Sequence, residues 1–143
     1  MEHVHKKLNV IINDHDGVGI LSPLLQDSIV PYTNYNTHEK QFEMHLNRFA
    51  HEHSHKDALR INSYLIIPSV NAVHHKGLKR EIEALNLLTL QSEEKDQQHY
   101  LYLIFSDHKT IRVTMSQMFF RLWDFGKHWR SSIPQHSFEY VLN

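Results

Sequence analysis

Three imidazoles alternate in the run His51-Glu52-His53-Ser54-His55. In an extended chain His51, His53 and His55 fall on one face, ~6–7 Å apart. Imidazole suits zinc, copper or nickel, so the run is a candidate site for a divalent transition metal, with His45 or Glu52 as a further ligand. The plain alternative is a solvated loop that is rich in histidine because the whole chain is, with 14 histidines in 143 residues. His74 and His75 would point to opposite faces of a strand, which disfavours chelation. No motif calls for an organic cofactor.

Asp27 and Arg48 are charged residues set among apolar neighbours. An Asp27–Arg48 ion pair would brace the first helix against the sheet, because desolvated charges need partners. The functional alternative is an anion or ligand pocket around Arg48. Asp14 and Asp16 lack the later oxygen ligands of a calcium loop and read as a helix-capping turn. Gly17-Val18-Gly19 lacks the third glycine of a dinucleotide fingerprint. Serine, histidine and aspartate are all present, but no spacing selects a triad, so catalytic residues stay unassigned and a non-enzymatic role is favoured.

These residues must be held by a small number of elements. Leu8 to Ile12 is a short apolar run and reads as a strand. Ile20, Leu21, Leu24 and Leu25 have helical spacing, capped at Ser22 or earlier at Asp14 or Asp16, and ending before Pro31. Phe42, Met44 and Leu46 alternate with polar residues in a half-buried strand over 41–49, with 32–35 as its partner. His45 then faces away from the core. Residues 59–70 continue the β pattern, with Pro68 at an interruption or an edge. Residues 85–91 read as a strand and 91–96 as a surface loop. Residues 100–105 and 110–113 flank a polar turn as a hairpin, with His99 and His108 solvated beside it.

The segment 114–125 reads as an amphipathic helix. Thr114-Met115-Ser116-Gln117 matches a capping box, and Met115, Met118, Phe119, Leu122 and Trp123 form one helical face ending at Gly126. That face would cover the sheet, and Phe119→Ala would cost ~3–5 kcal/mol. The expected fold is therefore α+β: a strongly bent antiparallel sheet of about six or seven strands, one early helix and a C-terminal amphipathic helix, compatible with a pleckstrin-homology-like barrel.

The composition bounds the function. Lys+Arg 15 against Asp+Glu 16 gives a formal charge of -1, which speaks against nucleic acid as a partner. The absence of cysteine removes disulfides, zinc-thiolate sites and thiol catalysis. No apolar run approaches the ~18–20 residues of a membrane span, and no signal peptide follows the polar start, so a cytoplasmic location is expected. A single domain over 1–143 is expected, with 1–6 and 138–143 flexible.

Several segments carry a resemblance. They are Leu25-Gln26-Asp27-Ser28, Leu46-Asn47-Arg48-Phe49 with Glu52 soon after, Leu85-Asn86-Leu87-Leu88-Thr89-Leu90, and Leu103-Ile104-Phe105. Ile111-Arg112-Val113, Gly126, Trp129 and Pro134-Gln135-His136 follow in order. Over most of residues 8–137 the chain resembles a family of small alphaproteobacterial proteins, domain of unknown function 2948. It departs from the family pattern at Ala50-His51-Glu52, where Trp-Glu is usual, and at Met115-Ser116-Gln117, where Glu-Cys-Ile is usual. The resemblance implies no activity, substrate or cofactor. The functional expectation is a small non-enzymatic binding module that takes a protein or peptide at the sheet edge near Pro68 or beside the last helix. The alternative is a histidine-rich metal-binding protein or metalloenzyme. The oligomeric state is left open.

Overall fold

A computed structural model describes residues 7–50, 59–79 and 84–130. Nine strands and one helix follow the order Asn9–Ile12 (β1), His15–Leu25 (α1), Ser28–Asn36 (β2), Gln41–Phe49 (β3), Leu59–Ile67 (β4), Val70–Lys76 (β5), Leu85–Lys95 (β6), Gln98–Phe105 (β7), Lys109–Met115 (β8) and Phe120–Arg130 (β9). All pairings are antiparallel, in one sheet ordered β1-β9-β4-β3-β2-β6-β7-β8-β5.

The sheet has to curl. Only Pro68 and Ser69 join β4 to β5, yet β5 is the far edge of the sheet and pairs with β8. The Val70 amide donates to the Lys40 carbonyl at 2.8 Å, which ties the start of β5 to the turn before β3. β2 changes partners along its length. Residues 28–30 pair with β6, while Ile29 and 32–36 pair with β3 across a register shift between Ile29 and Tyr32. Pro31 lies in that shift, where its missing N–H costs no ladder bond.

Alternation sets the inside of the curl. Phe42, Met44 and Leu46 on β3, Leu65 and Ile67 on β4, Leu101 and Leu103 on β7, and Phe120 and Leu122 on β9 are all buried in one core. α1 packs on β6 and adds Val18, Leu21 and Leu25 to that core. Its cap is Asp14, whose side chain accepts from the Gly17 amide at 2.7 Å. Ser22, mid-helix, instead stitches α1 to β6: its Oγ lies 2.9 Å from Thr89 Oγ1 and accepts from the Leu90 amide at 2.8 Å.

Two expectations are corrected. The fold is not an α+β sheet of six or seven strands covered by a C-terminal helix. It is a nine-stranded antiparallel sheet with a single short helix among the described residues, and 120–130 is the strand β9. Phe120, Leu122 and Asp124 alternate inward along it. The pairing of β9 with both β1 and β4 outweighs the local helical signal, since strand preference is decided by cross-strand neighbours. Phe119, expected at the heart of the helix face, is 39% exposed in the β8–β9 connection. Gly126 does take a positive φ of 77°, but inside β9, where the pairing with β4 slips between Arg60 and Asn62. The second correction concerns 91–96. β6 runs on through Lys95 and closes onto β7 by a two-residue turn, Asp96-Gln97, with both residues at positive φ.

Candidate functional site

Arg48 continues the inward series of Phe42, Met44 and Leu46, so its guanidinium enters the core. The carboxylate it meets is Asp124, inward on β9, and not Asp27. Nε donates to Asp124 Oδ1 at 3.0 Å and Nη2 to Oδ2 at 2.7 Å, with both side chains fully buried. Ser63 Oγ donates to the same carboxylate at 2.5 Å, and so does the Leu8 amide at 2.7 Å. Burial pushes the Asp124 carboxyl up, but the donors Arg48, Ser63 and Leu8, together with the Arg48 charge, outweigh it and hold the group below the ordinary range.

Asp27 follows the end of α1 with a left-handed φ of 67°, and its amide donates to the Leu87 carbonyl at 2.8 Å. Its charge acts on Arg60, whose guanidinium burial pulls down to about 10 against the raising effect of Asp27. Arg60 lies 3.7 Å over the Phe49 ring and donates to the Asn47 carbonyl and side-chain oxygens at 3.1 and 3.0 Å. The Leu46-Asn47-Arg48-Phe49 motif thus anchors two buried arginines, a structural use of every polar residue in it. His51, His53, His55 and Glu52 lie outside the described residues.

The outer face of the β2-β3-β4-β9-β1 half carries an aromatic row. Tyr32, His45, Tyr64 and Trp123 occupy successive register positions. Tyr64 stacks on Phe125 at 4.6 Å, and His45 packs 4.9 Å from Tyr64, facing away from the core as expected. In the adjacent row Glu43, Ile66, Arg121 and Ile11 are aligned. At the end of these rows a hollow of about 220 Å³ is lined by Ile11, Ile66, Pro68, Phe119, Arg121 and Trp123. Ile11 is 59% exposed there. Arg121 lies 4.6 Å over the Trp123 ring, and no carboxylate pairs with it among the described residues.

A second cluster sits where α1 begins. Glu94 and His99 are direct cross-strand partners on β6 and β7, and Ser92 shares their face two residues earlier. His15, the first residue of α1, reaches over them. Its Nδ1 is 2.7 Å from Ser92 Oγ and its Nε2 is 2.9 Å from His99 Nδ1. Glu94 Oε2 is 3.7 Å from His99 Nε2. His99 was expected to be solvated, but its side chain is only 19% exposed and its ring stacks against His15 at 5.1 Å.

A family model described as protein of unknown function (DUF2948) matches residues 8–136. The chain belongs to this family. No curated protein and no solved structure matches it. The DUF2948 match begins at Leu8, whose amide and carbonyl both bond to Asp124. In this member of DUF2948, no helix among the described residues is long and apolar enough to cross a membrane.

Proposed function

We propose that this DUF2948 protein is a non-enzymatic binding module that takes an extended peptide segment of a partner protein along β1. The observation that carries this reading is the coincidence of a sheet edge and an apolar hollow. β1 is the terminal strand of the sheet, so one side of its backbone has no strand bonded to it among the described residues. Directly beside it, Ile11, Ile66, Pro68, Phe119 and Trp123 offer a recess for an apolar side chain. Main-chain bonds to a strand edge supply affinity, and a side-chain pocket next to it supplies selectivity. Arg121 favours a carboxylate in the peptide next to the seated residue.

Among the described residues, the groups whose ionisation is displaced fit the same reading. Arg60 and Asp124 are internal braces, and Tyr102 is raised by burial and by its 2.9 Å bond to Glu93 on the surface. None of the three lines the hollow.

The test is selection of a displayed library of random peptides on the purified protein, followed by titration of the recovered peptide. Selected sequences are expected to pair an apolar anchor with a nearby acidic residue. Ile11→Asp should weaken the recovered peptide roughly tenfold or more, as loss of a central anchor does. Undiminished binding to both Ile11→Asp and Phe119→Asp would place the peptide elsewhere and overturn the reading.

A further inference from the structure

We propose that His15, Glu94 and His99 form a binding site for a divalent late first-row transition ion, for which zinc is the probe. The site is distinct from the hollow beside β1 and from the His51, His53, His55 run. One nitrogen from each imidazole and one carboxylate oxygen lie within 4.8 Å of one another. Donors bound at ~2.0–2.1 Å on a single ion stand ~3–3.4 Å apart, so only a small closure is needed. The flexible member can supply it. The Glu94 side chain is 60% exposed and free to swing, while both imidazoles are fixed on secondary structure.

The surrounding bonds prepare the ligands. Ser92 Oγ accepts from His15 Nδ1–H at 2.7 Å in the tautomer that leaves the Nε2 lone pair facing the cluster. Such an outer partner on the second ring nitrogen is how metal-bound histidine is usually oriented. A cation held by both rings takes the place of the proton between His15 Nε2 and His99 Nδ1, which stand 2.9 Å apart, close to the spacing of two donors on one ion. His99 then carries its own proton on Nε2, facing the Glu94 carboxylate 3.7 Å away, and the carboxylate swings to the ion as the third donor. The opposite arrangement is a proton relay running from Ser92 through His15 and His99 to Glu94. Its last link is unmade, because 3.7 Å is beyond hydrogen-bond range.

The donor set chooses the ion. Two imidazoles and a carboxylate suit zinc, copper or nickel over calcium or magnesium. Asp14 and Asp16, on either side of His15 in the chain, offset the positive end of α1 that would oppose a cation. Three protein donors leave a coordination position for water or another ligand.

The experiment is calorimetric titration of zinc into untagged, chelator-stripped protein, with cobalt absorbance and imidazole ¹⁵N shifts as second readouts. One equivalent is expected, with binding weakening in acid as protons compete for the imidazoles. Glu94→Gln and His99→Ala should each weaken it roughly tenfold or more, in variants whose circular dichroism matches the parent. A triple His51→Ala, His53→Ala, His55→Ala variant should keep the full equivalent, and the shifted resonances should be those of His15 and His99. The proposal is overturned if no stoichiometric zinc binds. It is equally overturned if the triple variant abolishes binding while His99→Ala leaves it intact. Failure here would not touch the peptide reading, which is measured without metal.

Discussion

Arg48 on β3 and Asp124 on β9 meet inside the sheet although β4 lies between their strands, joined through Nε–Oδ1 at 3.0 Å and Nη2–Oδ2 at 2.7 Å. Ser63 on that intervening strand bonds the same carboxylate, so three adjacent strands share one buried polar knot. Removing one member leaves a buried charge without its counterion. Asp124→Ala and Arg48→Ala should therefore each cost ~3–5 kcal/mol. A double Arg48→Met, Asp124→Leu variant should cost less than either single change, because no charge is then stranded. Urea unfolding of the four proteins checks this.

The same carboxylate makes the protein sensitive to acid. Its folded pKa lies below the ordinary value of ~3.9, so the unfolded chain takes up this proton first as pH falls. The stabilisation is complete above pH ~4 and is lost as pH drops through the folded pKa. Urea midpoints measured from neutral pH downward should show a loss below pH ~4 that is much shallower in Asp124→Asn.

A helical reading buries Leu122 and Phe119 on one face, whereas the strand separates them. Leu122 is fully buried against the core, and Leu122→Ala should cost ~2–5 kcal/mol. Phe119→Ala, at a rim position, should cost under ~1.5 kcal/mol. Equal costs measured by thermal unfolding would contradict the strand assignment of 120–130.

The β6–β7 turn holds two non-glycine residues in the left-handed region, Asp96 at φ 53° and Gln97 at φ 65°. Glycine tolerates that conformation without strain, at some cost in unfolded-state entropy. Gln97→Gly should stabilise the protein by about 0.5–1 kcal/mol, visible as a higher Tm, with Gln97→Ala giving no gain.

Much of the sheet was legible in period-two runs. β1, β3, the 32–35 partner, β7 and β8 all follow from alternating or β-branched residues between polar turns, and Asp14 is one of the caps that the sequence offers α1. β9 was not, because Met115, Met118, Phe119, Leu122 and Trp123 satisfy a helical template by coincidence while Asp124 interrupts the strand pattern at an inward position. That interruption was the usable signal. Arg48 breaks β3 in the same way, and two opposite charges each standing in a core register are candidates for one another. Asp27, in a turn, has no such register. The His15, Glu94, His99 cluster was hidden by reading 91–96 as a loop. Once Asp96-Gln97 is taken as a two-residue turn, Glu94 and His99 are equidistant from it and must face each other. His15 joins them only through the docking of α1, which no local pattern encodes.

β9 is among the last elements in the chain but sits inside the sheet, between β1 and β4. During synthesis, β1 has no partner and β4 keeps an open side until residues near Asp124 leave the ribosome. The Leu8–Asp124 bonds, 116 residues apart, can form only then. Closure of the sheet is thus a late, long-range event of the kind that slows folding and leaves strand edges sticky in the meantime. A nascent chain of this protein that stalls before Phe120 would leave β1 without a partner and one side of β4 open, and chaperone demand should peak at that length.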